Sequence, residues 1–235
     1  MSEAYVGYDR IDEIAHIEMD DGKANALGPQ MIDELSAAFD RAAKEAKAVI
    51  LAGRPGRFCA GFDLRIMTQG PEQAIGLVSA GADMFLSMYL HPLPIVAACT
   101  GHAMAGGALL LLVCDERICA QGDFKIGLNE VAIGMTLPVL GRELVRSHID
   151  PRHHTEVVLG ARVDSPDWAK QVGFLDRVVS PDALFGEACE AAKRLGAHPR
   201  SAFAGSKLAM REALVHYVRQ AMPADFERFA SARSH

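Results

Sequence analysis

The sequence predicts an α/β fold with a helical C-terminal part, and three observations carry that prediction. Short apolar runs such as Ala48-Val49-Ile50-Leu51-Ala52 and Leu93-Pro94-Ile95-Val96-Ala97-Ala98 read as buried strands. They alternate with stretches of helical periodicity, and small-residue turns follow the strands. From Ser201 onward the pattern is helical, interrupted only at Met222-Pro223. With 235 residues, half of them apolar, the chain can bury one sizeable core.

In chain order, Ala4-Tyr8 and Ile14-Met19 read as a strand pair turning at Asp9-Asp12. Asp20-Asp21-Gly22 ends the second strand, and a loop from Lys23 to Pro29 leads into a helix. Met31, Leu35, Ala38, Phe39 and Ala42 give that helix its apolar face. After the strand at Ala48-Ala52 and a turn at Gly53-Arg57, Phe58-Cys59-Ala60-Gly61-Phe62-Asp63-Leu64 repeats the order strand, small-residue turn, helix. Glu72 to Leu90 read as one long helix, stopped by His91-Pro92. Asp115 to Ala120 and Phe174 to Val179 are further strands. Asp150-Pro151, Ser165-Pro166 and Ser180-Pro181 each pair a capping side chain with a proline at the first helical position.

The stretch Cys99-Thr100-Gly101-His102-Ala103-Met104-Ala105-Gly106-Gly107 organises the chain. It joins a buried strand to Ala108-Val113, which is apolar on every side and reads as a buried helix. The N–H groups near Gly106 are then left at a helix start, where an anion or a developing oxyanion could meet them. The spacing lacks the G-x-G-x-x-G of a dinucleotide site and the Gly-Lys-Ser/Thr of a P-loop. Taken alone, such a turn is better explained by tight helix–strand packing, with glycines chosen for size.

Composition narrows the function classes. The net charge is −6 with no basic run, which argues against nucleic acid as a partner. The five cysteines are odd in number and lie mostly in apolar segments, as buried free thiols in a reducing compartment do. Cys114 and Cys119 lack zinc-site spacing, and His153-His154 lacks a third ligand, so no metal site is expected. The run from Ala103 to Cys114 is too short to span a bilayer. No basic-then-apolar leader opens the sequence. These features point to a cytoplasmic protein without a membrane or nucleic-acid partner.

Three segments in order, Cys59-Ala60-Gly61-Phe62-Asp63-Leu64, Gly101-His102-Ala103-Met104-Ala105-Gly106-Gly107 and Lys125-Ile126-Gly127-Leu128-Asn129-Glu130-Val131-Ala132-Ile133-Gly134, resemble the crotonase family of enoyl-CoA hydratases and isomerases. The resemblance is clearest from Ile14 to Val179. It implies a crotonase-like spiral of ββα units over residues 1–195. It further implies a helical region over 196–235 for packing and oligomerisation, as a homotrimer or a hexamer built from two trimers. Arg219, Phe226 and Phe229 are candidate contacts there. The implied substrate is an acyl-CoA thioester, with coenzyme A carried by the substrate and no separate cofactor.

On matching positions, the resemblance gives the N–H groups of Phe62 and Gly106 to the thioester oxygen. Family carboxylates match Leu109 and Glu130, so one is present and the other is replaced by leucine. Burial beside Val131, Ala132, Ile133 and Met135 would raise the Glu130 pKa. A single glutamate at this position resembles Δ3,Δ2-enoyl-CoA isomerases, in which one carboxylate moves a proton from C2 to C4. Hydration uses two carboxylates to hold water and is the alternative, with Glu130 and Asn129 or a backbone group as holders. A decarboxylase, a thioesterase, and a catalytically inactive acyl-CoA-binding or RNA-binding relative are further readings. Lys23, Ala24, Ala26, Ala60, Asp63, Leu64, Arg65, Leu109 and Ile133 are the expected substrate-binding residues. Among them, Lys23 and Arg65 are candidates for the CoA phosphates. Asp63 is expected to cap the turn after it, and His102 to pack or hydrogen-bond without a catalytic part.

Overall fold

Along Ala48–Gly53 every residue is buried, and successive side chains enter two different apolar clusters. Val49 and Leu51 face the larger cluster, while Ala48, Ile50 and Ala52 face the smaller. This is the two-residue alternation of a strand covered on both faces, which is why the sequence there reads as an unbroken apolar run.

The computed structural model describes residues 4–232. Among them the chain runs β1 (Val6–Ile11), β2 (Ile14–Met19), β3 (Ala26–Leu27), α1 (Pro29–Glu45), β4 (Ala48–Gly53), β5 (Gly56–Cys59), β6 (Gly61–Phe62), α2 (Leu64–Met67), α3 (Pro71–Tyr89), β7 (Ile95–Cys99), β8 (Gly101–Met104), α4 (Gly106–Leu112), β9 (Glu116–Ala120), β10 (Ile126–Gly127), α5 (Val139–His148), β11 (Val163–Asp164), α6 (Pro166–Val172), β12 (Arg177–Val179), α7 (Leu184–Gly196) and α8 (Arg200–Ala232).

A six-stranded sheet has the order β1-β2-β4-β7-β9-β12. Only β1 and β2 are antiparallel; the other neighbours are parallel. A four-stranded sheet, β11-β10-β8-β5, lies beside it, and β3 pairs with β6. The strands β4, β7 and β9 belong to the large sheet, and the strand after each, β5, β8 and β10, belongs to the small one. A helix then returns the chain, so the repeating unit is ββα. The helix α7 covers the smaller cluster with Leu184, Ala188, Ala191 and Ala192.

Several boundaries differ from the sequence reading. The first strand starts at Val6 and continues to Ile11, so the hairpin turns at Asp12-Glu13, with Asp12 at φ 56°. Cross-strand pairing from Val6↔Met19 to Ile11↔Ile14 outweighs the polar character of β1. The organising turn contains β8. Gly101 is essential to it, because an added Cβ would lie 2.0 Å from the Gly56 carbonyl carbon of β5. Asp150-Pro151 opens only a short 3-10 turn, with Asp150 accepting from the Arg152 N–H at 3.0 Å. Ser165 caps α6 as expected. Ser180 makes no side-chain cap.

The helix α8 passes through Pro223 without a break. Val215, Val218 and Met222 anchor it in the main core, which offsets the one backbone hydrogen bond the proline removes. Asp115 fixes it further. Its carboxylate accepts from Lys207 Nζ at 2.7 Å and Arg211 at 3.0 Å, both on α8, and from the Ile95 N–H at 2.8 Å. Phe226 is half-buried against the core, and Arg219 is exposed. The Phe229 side chain lies outside the described residues.

Candidate active site

The two small-residue turns meet. Gly61 has φ +88°, and a Cβ there would lie 3.0 Å from the Gly106 nitrogen and 2.9 Å from the Met104 carbonyl oxygen. A Cβ on Gly106 would lie 3.4 Å from both Gly61 Cα and Phe62 Cδ2. At Gly61 only glycine allows this approach of backbone to backbone, while the 3.4 Å contacts at Gly106 are ordinary van der Waals distances. Gly106 is the first residue of α4, so its N–H has no partner within that helix. Ala105 before it sits at φ 49° and ψ −121°. A non-glycine residue held there stores about 1–3 kcal/mol of strain. Its N–H donates to the Gly127 carbonyl at 3.0 Å, which ties the turn to β10.

The third segment comes off β10. Leu128 is buried, and Glu130 starts a 3-10 turn over Val131–Ile133. The Glu130 side chain points inward while the turn itself points out. Glu130 is 7% exposed, whereas Val131 and Ile133 are 42% and 48% exposed. The expected apolar shelter from Val131, Ala132 and Ile133 is therefore absent, and Ile133 stands at the surface. Burial comes from the interior facing the turn, and it pushes the Glu130 carboxyl up to about 7, against a smaller opposing effect of its own backbone N–H. Glu130 Oε2 and the neighbouring Asn129 Oδ1 are buried without a hydrogen-bond partner. Such groups are rare in a folded protein and mark places where a ligand or water completes the structure.

Leu109 is buried on α4. It lines a small apolar pocket with Phe62, Val78, Phe85, Pro138 and Phe226. A larger cleft of about 460 Å³ adjoins it, sharing Val78, Pro138, Asp225 and Phe226 and adding Ile75, Met135 and Arg142. Both carry residues from α3, α5 and α8.

Across from this, β3 and β6 place Ala26 beside Gly61, and the Ala60 N–H donates to the Ala24 carbonyl at 3.1 Å. Ala24, Ala26, Ala60 and Phe62 thus form one backbone edge. Lys23, Ala60, Leu64 and Arg65 are exposed around it. Asp63 caps α2 through the Arg65 N–H at 2.9 Å and pairs with the Arg65 guanidinium at 2.7 Å. Those hydrogen bonds hold the Asp63 carboxyl below its ordinary value. Asp63 is committed to this turn and leaves Glu130 as the carboxylate with an open valence. His102 Nδ1 accepts from the Lys125 N–H at 3.0 Å and its ring meets Phe124 edge-on, a structural role. Among the described residues no cluster of three or more His, Cys, Asp or Glu side chains could hold a metal ion.

Two features went unread in the sequence. Asn25, fully buried at φ 55°, donates through Nδ2 to the Met19 and Phe58 carbonyls and accepts from the Asp21 N–H at 3.0 Å. It fixes the loop that carries Ala24 and Ala26; its signal is an asparagine after a glycine-containing turn, a type tolerant of positive φ. The other is Asp225, which reaches from α8 to cap α5 through the Val139 N–H at 2.7 Å and pairs with Arg142 at 2.9 Å. No local pattern announces a cap that lies 86 residues away.

A family model described as enoyl-CoA hydratase/isomerase matches residues 9–235. The chain belongs to this family. It is 30% identical to human mitochondrial enoyl-CoA delta isomerase 1 over 93% of this chain and 74% of that protein. It is 33% identical to a putative enoyl-CoA hydratase of Thermus thermophilus over 75% of this chain and 70% of that one. Among solved structures, an enoyl-CoA hydratase/isomerase family protein from Pseudomonas syringae superposes with a TM-score of 0.93 at 40% identity, covering 96% of this chain and 98% of that chain. Human mitochondrial delta3-delta2-enoyl-CoA isomerase superposes with a TM-score of 0.92 at 29% identity, covering 97% and 91%. The fold is accordingly the crotonase fold of these neighbours, and the protein is an enzyme of the enoyl-CoA hydratase/isomerase family.

Proposed function

We propose that this enzyme moves a double bond in an enoyl-CoA from the 3 to the 2 position, with Glu130 as single acid and base. The observation that supports the reading is one buried carboxylate of raised pKa, Glu130, with a buried leucine rather than a second carboxylate at position 109. Ionised Glu130 takes a proton from C2 of a 3-enoyl-CoA. Charge then grows on the thioester oxygen, and the N–H groups of Phe62 and Gly106 receive it. Removing one such donor costs about 3–4 kcal/mol in other enzymes. The protonated Glu130 returns its proton at C4, which leaves the conjugated trans-2-enoyl-CoA. Leu109 keeps water away from C3 of the conjugated product, so the dienolate is protonated at C4 and no water adds afterwards. A pKa near 7 suits one group to both halves of the transfer.

Hydration of trans-2-enoyl-CoA is the second reading. It draws support from two buried oxygens on consecutive residues, Asn129 Oδ1 and Glu130 Oε2, that lack a hydrogen-bond partner among the described residues, since such atoms are candidates to hold a water. Relatives carry both activities in their names. The deciding assay follows both products from 3-enoyl-CoA and trans-2-enoyl-CoA. Isomerisation should dominate in wild type, and Leu109→Glu should raise the hydration-to-isomerisation ratio while costing about 1–3 kcal/mol of stability. Efficient wild-type hydration, unaltered by glutamate at 109, would overturn the isomerase reading.

The same proposal takes coenzyme A only as part of the substrate. It places Lys23 and Arg65 at the CoA entrance, and it holds the enzyme to be a cytoplasmic homotrimer or hexamer. Free thiols at Cys59, Cys99, Cys114, Cys119 and Cys189 support a reducing location. No helix among the described residues is long and apolar enough to cross a membrane.

A further inference from the structure

We propose that the acyl cleft selects enoyl-CoA substrates whose far end carries a carboxylate. The inference rests on the acyl-CoA reading above and adds to it the chemistry of the chain terminus.

The inner pocket beside Phe62 and Leu109 holds only about 20 Å³ of open space. That is room for about one water molecule, not for a hydrocarbon tail. A chain continuing beyond the reacting carbons must leave it by the walls it shares with the outer cleft, namely Val78, Pro138, Asp225 and Phe226. The near part of that cleft is apolar. Ile75, Met135 and Phe226 suit methylene groups.

Its remaining wall is not apolar. Arg142 and Arg228 line it with one carboxylate, Asp225, between them. Asp225 is already engaged: Oδ2 accepts from the Val139 N–H at 2.7 Å, and Oδ1 accepts from Arg142 at 2.9 Å and Arg228 at 3.3 Å. Two cations against one occupied anion leave the wall with one excess positive charge. Each guanidinium presents five N–H donors. Arg142 spends donors on Asp225 and on the Leu137 carbonyl at 2.6 Å, and Arg228, with a side chain 70% exposed, has Asp225 as its one ion-pair partner among the described residues, which leaves most of its donors for a ligand. A methyl-ended chain pressed against this wall removes water from the donors and returns nothing. A carboxylate replaces that water with charge-assisted hydrogen bonds of the fork geometry arginine favours. The same cluster fixes α8 on α5, so the recognition wall and the closure of the cleft are one construction.

The test uses matched pairs of medium-chain CoA thioesters that differ only in a terminal methyl or carboxylate. Saturated pairs are titrated by calorimetry, and the corresponding 3-enoyl pairs are assayed for turnover. Wild type should bind the carboxylate member about tenfold more tightly, and added salt should narrow that ratio. Arg228→Gln should narrow it as well, and Arg228→Glu should reverse it. Arg228 is exposed, so these variants should fold, and Arg228→Lys should retain part of the preference. Equal or tighter binding of the methyl member by wild type would overturn the proposal. So would a ratio unmoved in Arg228→Gln. A carboxylate preference in binding without turnover of either 3-enoyl member would sink the isomerase reading and leave the terminus selection standing.

Discussion

Glu130 and Asp115 are two carboxylates held away from water, with side-chain surroundings of opposite kinds. Asp115 has a side chain 10% exposed and meets Lys207, Arg211 and the Ile95 N–H. Every contact joins a distant part of the chain, so its charge welds α8 to the strand edge at β7 and β9. Glu130 is 7% exposed and has an oxygen with no hydrogen-bond partner among the described residues. Its burial raises its pKa to about 7 and no cation offsets that. One carboxylate is matched and serves architecture. The other is unmatched, which costs stability and leaves it a proton carrier. Burial alone does not mark a functional acid; burial without a partner does.

The largest effect should come from breaking the matched site. Asp115→Ala leaves Lys207 and Arg211 facing each other in a dry place, where losing one partner of a buried pair typically costs about 3–5 kcal/mol. Urea denaturation should show that loss, and a change below about 1 kcal/mol would mean the weld is idle. The unmatched site should respond with the opposite sign. Folded Glu130 keeps its proton up to about pH 7, while the unfolded side chain gives it up near 4.5. The folded state binds more protons in that window, so its stability falls as pH rises from 4.5 to 7 and is level above. Glu130→Gln removes this slope. The variant should be more stable than wild type by up to about 3 kcal/mol at pH 8 and no more stable near pH 4.5. A destabilised Gln variant at pH 8 would mean that hidden partners satisfy the carboxylate.

The turns of the unmatched site stand out in the sequence, whereas the partners of the matched site do not. Glu130 stands in a contiguous motif, and glycines such as Gly61 and Gly107 announce close backbone approach, because an added Cβ there would collide with backbone. The β4 and β7 strands were plain from their apolar runs. What escaped reading depends on distant partners. Lys207 and Arg211 look like ordinary helix-surface cations until α8 is docked on Asp115. The cap from Asp225 to Val139 and the continuation of α8 through Pro223 have the same cause, since tertiary packing overrides local signals. The exposure of Val131 and Ile133 was misjudged because an apolar residue next to an acid in sequence need not face it in space.

The smallest effect concerns Asp63. Asp63→Ala removes the cap of α2 and the pair with Arg65, and the stability loss should be about 1 kcal/mol. Turnover should fall at most a few-fold. A loss matching that of a Glu130 variant would move Asp63 from scaffold to chemistry.

The central claim is that unpartnered Glu130 carries the proton. Its most direct test is the pH profile of kcat/KM for 3-enoyl-CoA isomerisation in wild type and in Glu130→Gln. Wild type should rise through about pH 7 as the carboxyl ionises, then level. The variant should be about 10²–10⁴-fold slower and should lack that rise, while still binding a saturated acyl-CoA. A variant within a few-fold of wild type, or one that keeps the same rise near pH 7, would contradict the account.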